Sequence, residues 1–334
     1  MDSKLKKAAV GVGIMLGVSI TLMTGIVGYY NLSWPPSFPD TPRPNLQATT
    51  DPETIARGQY VVDALVHCTI CHTPEEEFLR QDVRGMVPKG GHVWEMGPLA
   101  TIRSANLTPA GIGDMSDADL ARIIRTGINA DGHPAPLMVA VGPMADEDLV
   151  AVMSYLRSLP PVENDIPPSE IGIAAKVLFQ TAMVGFVRPK NLDAPPFVKE
   201  GGISIERGRY IAEGPAFCYG CHSEQALRPE LAVKEPYFAG AAWADPDPKD
   251  DTMELRAPNL TTHKTGVLSY LDEDAFVTRM RSGRMVDHSP MPWENYQLMT
   301  EDDLRSIHRY LSSLKPIDNL TGPGYRKAGW EPGQ

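Results

Sequence analysis

The chain of 334 residues has only four cysteines, and all four fall in Cys68-Thr69-Ile70-Cys71-His72 and Cys218-Tyr219-Gly220-Cys221-His222. No thiol is left for a disulfide framework. Basic side chains are also in short supply. The 31 Lys and Arg face 42 Asp and Glu, a formal charge of −11. Outside residues 1–30 the balance is 28 basic against 41 acidic, or −13, which argues against nucleic acid as a partner. Proline (31) and glycine (29) are plentiful but follow no period, so collagen-like and low-complexity readings are excluded. Their number fits a loop-rich chain folded around a large group. Long apolar runs are scarce. Ala8 to Tyr30 is free of charge for 23 residues, whereas Ile171 to Val187 is broken by Lys176 and Gln180. At 17 residues with a charge inside, the second run is too short for a span. It reads as a buried connecting helix, or as one lying on a membrane surface or a partner. Asp245, Asp247, Asp250 and Asp251 lack the spacing and glycine of a calcium loop and read as a solvated turn.

What is present is a motif written twice. Cys-x-x-Cys-His is the attachment signature of c-type haem. Two thiols three residues apart reach the two vinyl groups of one porphyrin, and the adjacent histidine sits under the iron. Zinc is the main rival, with both Cys pairs on one ion. That reading leaves His72 and His222 unexplained. Two covalently bound haem c groups are therefore expected, on Cys68, Cys71 and His72 and on Cys218, Cys221 and His222.

The charge-free run follows Lys4, Lys6 and Lys7. As a helix it is about 34 Å long, against a hydrocarbon core of about 30 Å. A cleaved signal peptide would have a shorter apolar region and small residues at its end, and no A-x-A site follows. An uncleaved, single-pass anchor is expected over 1–30. The lysines place the N-terminus in the cytoplasm. The rest would face the periplasm of a bacterial inner membrane, where c-type haem is attached. Five prolines between Ser33 and Asn45 make 31–49 a stiff spacer that lifts the first domain off the bilayer.

Beyond the anchor the chain repeats itself. Arg57-Gly58-Gln59-Tyr60 and Arg207-Gly208-Arg209-Tyr210 lie 150 residues apart, as do the haem cysteines. Asn106-Leu107-Thr108 pairs with Asn259-Leu260-Thr261, Arg125-Thr126-Gly127 with Arg281-Ser282-Gly283, and Asp146-Glu147-Asp148-Leu149 with Glu301-Asp302-Asp303-Leu304. Duplication implies one fold used twice, over 50–160 and 201–316, with a linker at 161–200 and a tail at 317–334. The coarse reading of each unit is all-α. A short helix runs into the cysteines. A middle helix starts at Ser116 or Asp272 and stops at Gly127 or Gly283. A last helix opens near Ala145 or Thr300 with acidic residues that oppose its dipole. Leu149, Val152, Met153 and Leu156 form a core stripe against the first helix, with Gly58 and Gly208 permitting close approach.

A six-coordinate haem needs a distal ligand. Met291, in Ser289-Pro290-Met291-Pro292-Trp293, resembles the methionine loop of class I cytochromes c. Aligning Met299 with Met144 puts Met138 opposite Met291, with Met144 as its rival; His133 and His288 offer bis-histidine alternatives. The resemblance implies that a carbonyl in the Pro-Asn-Leu segment orients the proximal histidine. Pro258 with Asn259 matches that segment, while Ala105 with Asn106 keeps the position without the proline. The Asn-Leu-Thr triplets also read as glycosylation acceptors, but their recurrence in both units favours a haem loop.

The pattern as a whole resembles the cytochrome c subunits of membrane-bound periplasmic dehydrogenases for alcohols or gluconate. Asn106-Leu107-Thr108-Pro109 with Gly111-Ile112-Gly113 carries the resemblance best. Those subunits usually hold three haems, and two motifs occur here. The resemblance implies two tandem class I cytochrome c domains and electron relay between a donor and an acceptor complex, without a catalytic site of its own. A dihaem peroxidase is the alternative from another class. It needs an open iron position and an acid–base group above it. The acidic outer region suits a basic soluble carrier. Ala9, Gly13, Gly17, Thr21 and Gly25 recur every four residues along the anchor and suit docking on other redox subunits of a membrane complex.

Overall fold

The computed structural model describes residues 3–74, 83, 85–135, 137–138, 141–224, 237–242, 244–286 and 289–331. The N-terminal run forms one helix, α1 (Ser3–Leu32). Within it, Gly11–Leu32 is long and apolar enough to cross a membrane. Its large side chains from Val12 to Ile26 are exposed.

Each motif region begins with a helix, α2 (Pro52–Tyr60) in the first and α8 (Ile205–Glu213) in the second. Asp51 and Ser204 cap them by accepting from backbone amides of the first turn. The motifs follow as the short helices α3 (Cys68–Cys71) and α9 (Cys218–His222). The first region adds α4 (Pro109–Ile112), α5 (Asp117–Thr126) and α6 (Asp146–Ser158). The second has α10 (Glu273–Arg281), α11 (Trp293–Tyr296) and α12 (Glu301–Ser313). Helix α7 (Ile173–Thr181) lies between the two regions. Ser116 and Asp272 cap α5 and α10 as their positions suggest, and Gly127 ends α5 at φ 72°.

First and last helices cross at the glycines. A methyl group on Gly58 would sit 1.9 Å from the carbonyl oxygen of Ala151, and one on Gly208 would sit 1.9 Å from that of Ser306. Only a residue without a Cβ lets these backbones meet. Leu149, Val152, Met153 and Leu156 are buried at the first crossing, and Leu304, Ile307 and Leu311 at the second. These stripes merge into one apolar core that runs through both regions.

The all-α expectation is met only in part. Among the described residues two three-stranded antiparallel sheets are present: β1 (Val93–Glu95), β2 (Ala100–Arg103) and β3 (Glu170–Ile171); and β4 (Asp245–Asp247), β5 (Asp250–Leu255) and β6 (Tyr325–Lys327). Their strands are short, and β5 opens on Asp-Asp-Thr, so no alternating apolar pattern announces them. The aspartates read as a solvated turn thus stand in a hairpin, with Asp247 opposite Asp250. The outer strands come from the segments expected as linker and tail. β3 pairs with β2, and β6 pairs with β5. Arg326 binds Glu254 at 2.6 Å and lies 4.9 Å from the ring of Trp330, which holds the C-terminal segment down.

The proline-rich segment is not a free spacer. Phe38 donates its amide to the Gly132 carbonyl at 2.7 Å, and the buried Arg122 reaches the Phe38 carbonyl at 2.7 Å. Arg43 pairs with Asp119, and the Ala48 amide binds Asp117. A stretch that forms no ladder still has amides and carbonyls to satisfy, and polar groups of the first region meet them.

Candidate haem sites

The two motifs have one local geometry. The residue before the first cysteine is left-handed in both, His67 at φ 48° and Phe217 at φ 50°. That conformation is unfavourable for a residue with a Cβ, and its repetition marks a turn the site requires. One helical turn then carries both cysteines and ends at the histidine. Cys68, Cys71 and Cys218 are half-buried and Cys221 is exposed. Burial pushes the thiols of Cys68 and Cys218 up to about 12, so they are neutral at ordinary pH. Among the described residues no group of three or more His, Cys, Asp or Glu is placed to hold a metal ion, which weakens the shared-zinc reading.

Each imidazole is held by a backbone carbonyl from a distant loop. His72 Nδ1 lies 2.7 Å from the Ala105 carbonyl oxygen, and His222 Nδ1 lies 2.9 Å from that of Pro258. These bonds occupy Nδ1 and leave Nε2 as the ring nitrogen available to a metal. Burial lowers the pKa of both rings, which keeps them neutral, the form that ligates. The backbone carbonyls of the same histidines accept from Gly90 and Gly240 at 2.7 and 2.8 Å.

The carbonyl loops are themselves pinned. Asn106 accepts from the Thr108 amide and hydroxyl and donates to the Val162 carbonyl at 2.8 Å. Asn259 repeats this with Thr261 and donates to Ile317 at 2.9 Å. Both asparagines are buried with their amides engaged, so neither is open to glycosylation.

The methionines divide in two. Met144 and Met299, each immediately before the N-cap of a last helix, are 2% and 1% exposed and belong to the core. Met138 and Met291 are half-buried in the loops before them. His133 is turned to the proline-rich segment, with Nδ1 3.1 Å from the Pro36 carbonyl. His288 lies outside the described residues.

Three features of the sites have no sequence forecast. Arg284 binds Glu294 at 2.7 and 2.6 Å, the Met291 carbonyl at 3.3 Å, and the Ser289 carbonyl, so one guanidinium clamps the second methionine loop. The first region has Ile128 in its place. The second feature is Tyr296, which is buried between the motifs. Its hydroxyl donates to the Ala216 carbonyl at 2.7 Å and lies 3.5 Å from His67 Nε2. One side chain thus touches the chain just ahead of both Cys68 and Cys218. Third, the carboxylates one turn before the motifs differ. Glu213 is bound by Arg209 and Tyr310. Among the described residues the Asp63 carboxylate has only Gln59 at 3.5 Å and one of its oxygens is buried without a partner, and burial pushes its pKa up to about 6. The signal for the last was the Gln59-for-Arg209 exchange inside an otherwise matched repeat.

The donor sets fit covalent haem: two thiols one turn apart, then an imidazole with Nδ1 already bonded. Known proteins agree. No family model matches the chain. It is 29% identical over 297 residues to the cytochrome c subunit of the quinone alcohol dehydrogenase of Komagataeibacter europaeus, covering 81% of this chain and 58% of that subunit. It is 28% identical over 289 residues to the gluconate 2-dehydrogenase cytochrome c subunit of Pantoea cypripedii, covering 79% and 60%. A diheme cytochrome c-type protein of Cereibacter sphaeroides matches at 30% over 112 residues, 32% of this chain and 36% of that protein. The chain therefore spans about 58% of the length of the alcohol dehydrogenase subunit. Over roughly four-fifths of its own length, the chain resembles the cytochrome c subunits of alcohol and gluconate dehydrogenases.

Proposed function

We propose that this chain is a single-pass, membrane-anchored dihaem cytochrome c that relays single electrons between a donor and an acceptor, as a subunit of a periplasm-facing redox complex. The observation that carries this is the repeated motif with both imidazoles on equivalent carbonyls, Ala105 and Pro258. His72 and His222 are the proximal ligands, and Cys68, Cys71, Cys218 and Cys221 the attachment points. Met138 and Met291 are the distal ligands. The burial of Met144 beside its counterpart Met299 supports Met138 as the first. Residues 50–160 and 201–316 are two class I cytochrome c domains, each borrowing a strand from the segment that follows it.

When bound, haem iron supplies a one-electron couple, and histidine–methionine ligation favours its reduced state. The protein's part is placement. Ala105 and Pro258 fix the imidazoles, Asn106 and Asn259 fix those carbonyls, and Arg284 fixes the second methionine loop. Gly13, Gly17 and Gly25 have open space where a Cβ would stand, and the Thr21 hydroxyl turns back on the Gly17 carbonyl at 2.9 Å. This leaves the small-residue stripe smooth for a neighbouring helix of the complex. Gly13→Leu with Gly17→Leu should release the chain from its partners in mild detergent while haem attachment persists. The acidic outer surface suits a basic carrier, and exchange with one should slow as salt rises.

The deciding experiment is haem counting by mass. The full chain should carry two covalent haems, and His72→Ala or His222→Ala should each disturb one alone. A single haem would end the proposal. Carbon monoxide added to the reduced protein should leave both spectra unchanged; a bound fraction at one site would favour a peroxidase.

A further inference from the structure

Helix α7 is the apolar stretch that the electron-relay reading leaves without a task. It buries Ala175 and Phe179 against a small second core with Ala100, Ile102 and Val187. The ring of Trp34 stacks on Phe179 at 5.9 Å. The helix is also bonded directly to the end of α1. Gln180 donates to the Tyr30 carbonyl at 2.8 Å and accepts from Ser33, and Lys176 donates to Asn31 at 3.0 Å. Its single charge is therefore tied down. The opposite face stays open and apolar. Ile173 is 52% exposed, Ala174 and Thr181 are exposed, and Val177 and Leu178 are half-buried. Ala174, Val177, Leu178 and Thr181 follow helical spacing, so they form one stripe.

The depth of this face follows from α1. The apolar part, Gly11–Leu32, has 22 residues. At 1.5 Å per residue that is about 33 Å, close to the thickness of a hydrocarbon core. Residues 30–33 then stand at its edge, among headgroups, where Tyr29 and Trp34 are at home. A helix bonded to those residues is held at the same depth. There an uncharged, apolar face is stabilised by lipid and penalised by water.

We propose that α7 lies in the membrane–water interface beside α1, with the Ala174, Val177, Leu178 and Thr181 face against lipid. The proposal rests on reading α1 as a membrane span. It gives the first region two points of attachment to the bilayer. It also connects the membrane to the first site, because Leu137, the neighbour of Met138, packs on the small core that α7 closes.

The test uses the full haem-loaded chain in vesicles of phosphatidylcholine and phosphatidylglycerol. The photoreactive residue benzoylphenylalanine replaces Leu22 in α1, Val177 in α7, or Tyr270, which is 71% exposed in the second motif region. After illumination, mass spectrometry reads phospholipid adducts on each peptide. Adducts at Leu22 and Val177, several-fold above those at Tyr270, are expected. Adducts at Leu22 with none above the Tyr270 level at Val177, or with cross-links there only to protein, overturn the inference and leave the anchor intact. No adduct at Leu22 overturns the anchor reading and this inference with it.

Discussion

Tyr60 donates a 2.6 Å hydrogen bond to Asp303, 243 positions away in the other motif region. Tyr210 returns it, donating to Asp148 at 2.6 Å. Each carboxylate is also held by an arginine of its own region, Arg207 on Asp303 and Arg57 on Asp148, both through two bonds. Each tyrosine oxygen accepts in turn from a backbone amide at the start of the opposite last helix, Thr300 or Ala145. Burial, then the neighbouring carboxylate, raise both phenol pKa values, so the protons stay on the tyrosines. One contact between the two regions is thus made twice, as it would be across a symmetric dimer.

That contact is expected to set the cooperativity of the fold. Tyr60→Phe with Tyr210→Phe leaves two buried carboxylates short of a donor and two amides without an acceptor. Each loss costs about 1–3 kcal/mol. Denaturant unfolding of the full chain in detergent, followed at haem absorption, should move to lower denaturant and split into two steps. A single unshifted transition would show that the apolar core alone couples the regions.

The second methionine loop should depend on its clamp. Met291→His is expected to lower the potential of the second haem alone, since imidazole favours oxidised iron more than a thioether does. Arg284→Gln should weaken the same ligation without touching a ligand, seen as loss of the sulfur-to-iron charge-transfer band at one haem. A redox titration that matches the native protein at both centres would remove Met291 as a ligand. Met138→His beside Met144→Leu makes the equivalent decision for the first haem.

Asp63 should make stability pH-dependent in one direction. Its pKa rises from 3.8 in the unfolded chain to about 6 in the fold because burial disfavours the charge. The folded state therefore binds the proton more tightly, and stability falls as pH climbs from about 4 to about 6. Asp63→Asn should abolish that step and stabilise the protein at neutral pH. Glu213→Gln should instead lower stability slightly at neutral pH, because Arg209 and Tyr310 would lose the carboxylate they bind. Unfolding midpoints from pH 4 to pH 8 check both.

The helix crossings should tolerate no methyl group. Gly58→Ala and Gly208→Ala force the first and last helices apart, at a cost of about 3 kcal/mol. Each change is expected to reduce haem retention at its own motif first. Equal yields of dihaem protein from both variants would mean that the crossings adjust freely.

Much of this arrangement was legible because it depends on local chemistry. Ser116, Asp272 and Thr300 cap the helices they precede, and the two glycines stand where the backbones meet. The attachment motifs can be read from five residues each, Cys68 to His72 and Cys218 to His222. Other features depend on partners far along the chain. The strands of β3 and β6 have two and three residues, too few for a period, and owe their form to the strand beside them. The five prolines of the spacer could be read, but Arg122 and Asp117 decide where the segment lies. Tyr60 and Tyr210 were visible as repeated letters. Nothing local revealed that each serves the other copy.

Tyr296 reaches Ala216 on one side and His67 on the other, so the two attachment motifs share a wall. If each motif holds a haem as proposed, a charge gained at one would be felt at the other across this shared contact. Two midpoints fitted to a dihaem form of the chain would then belong to the pair, and neither could be assigned to one site without first fixing the state of the other.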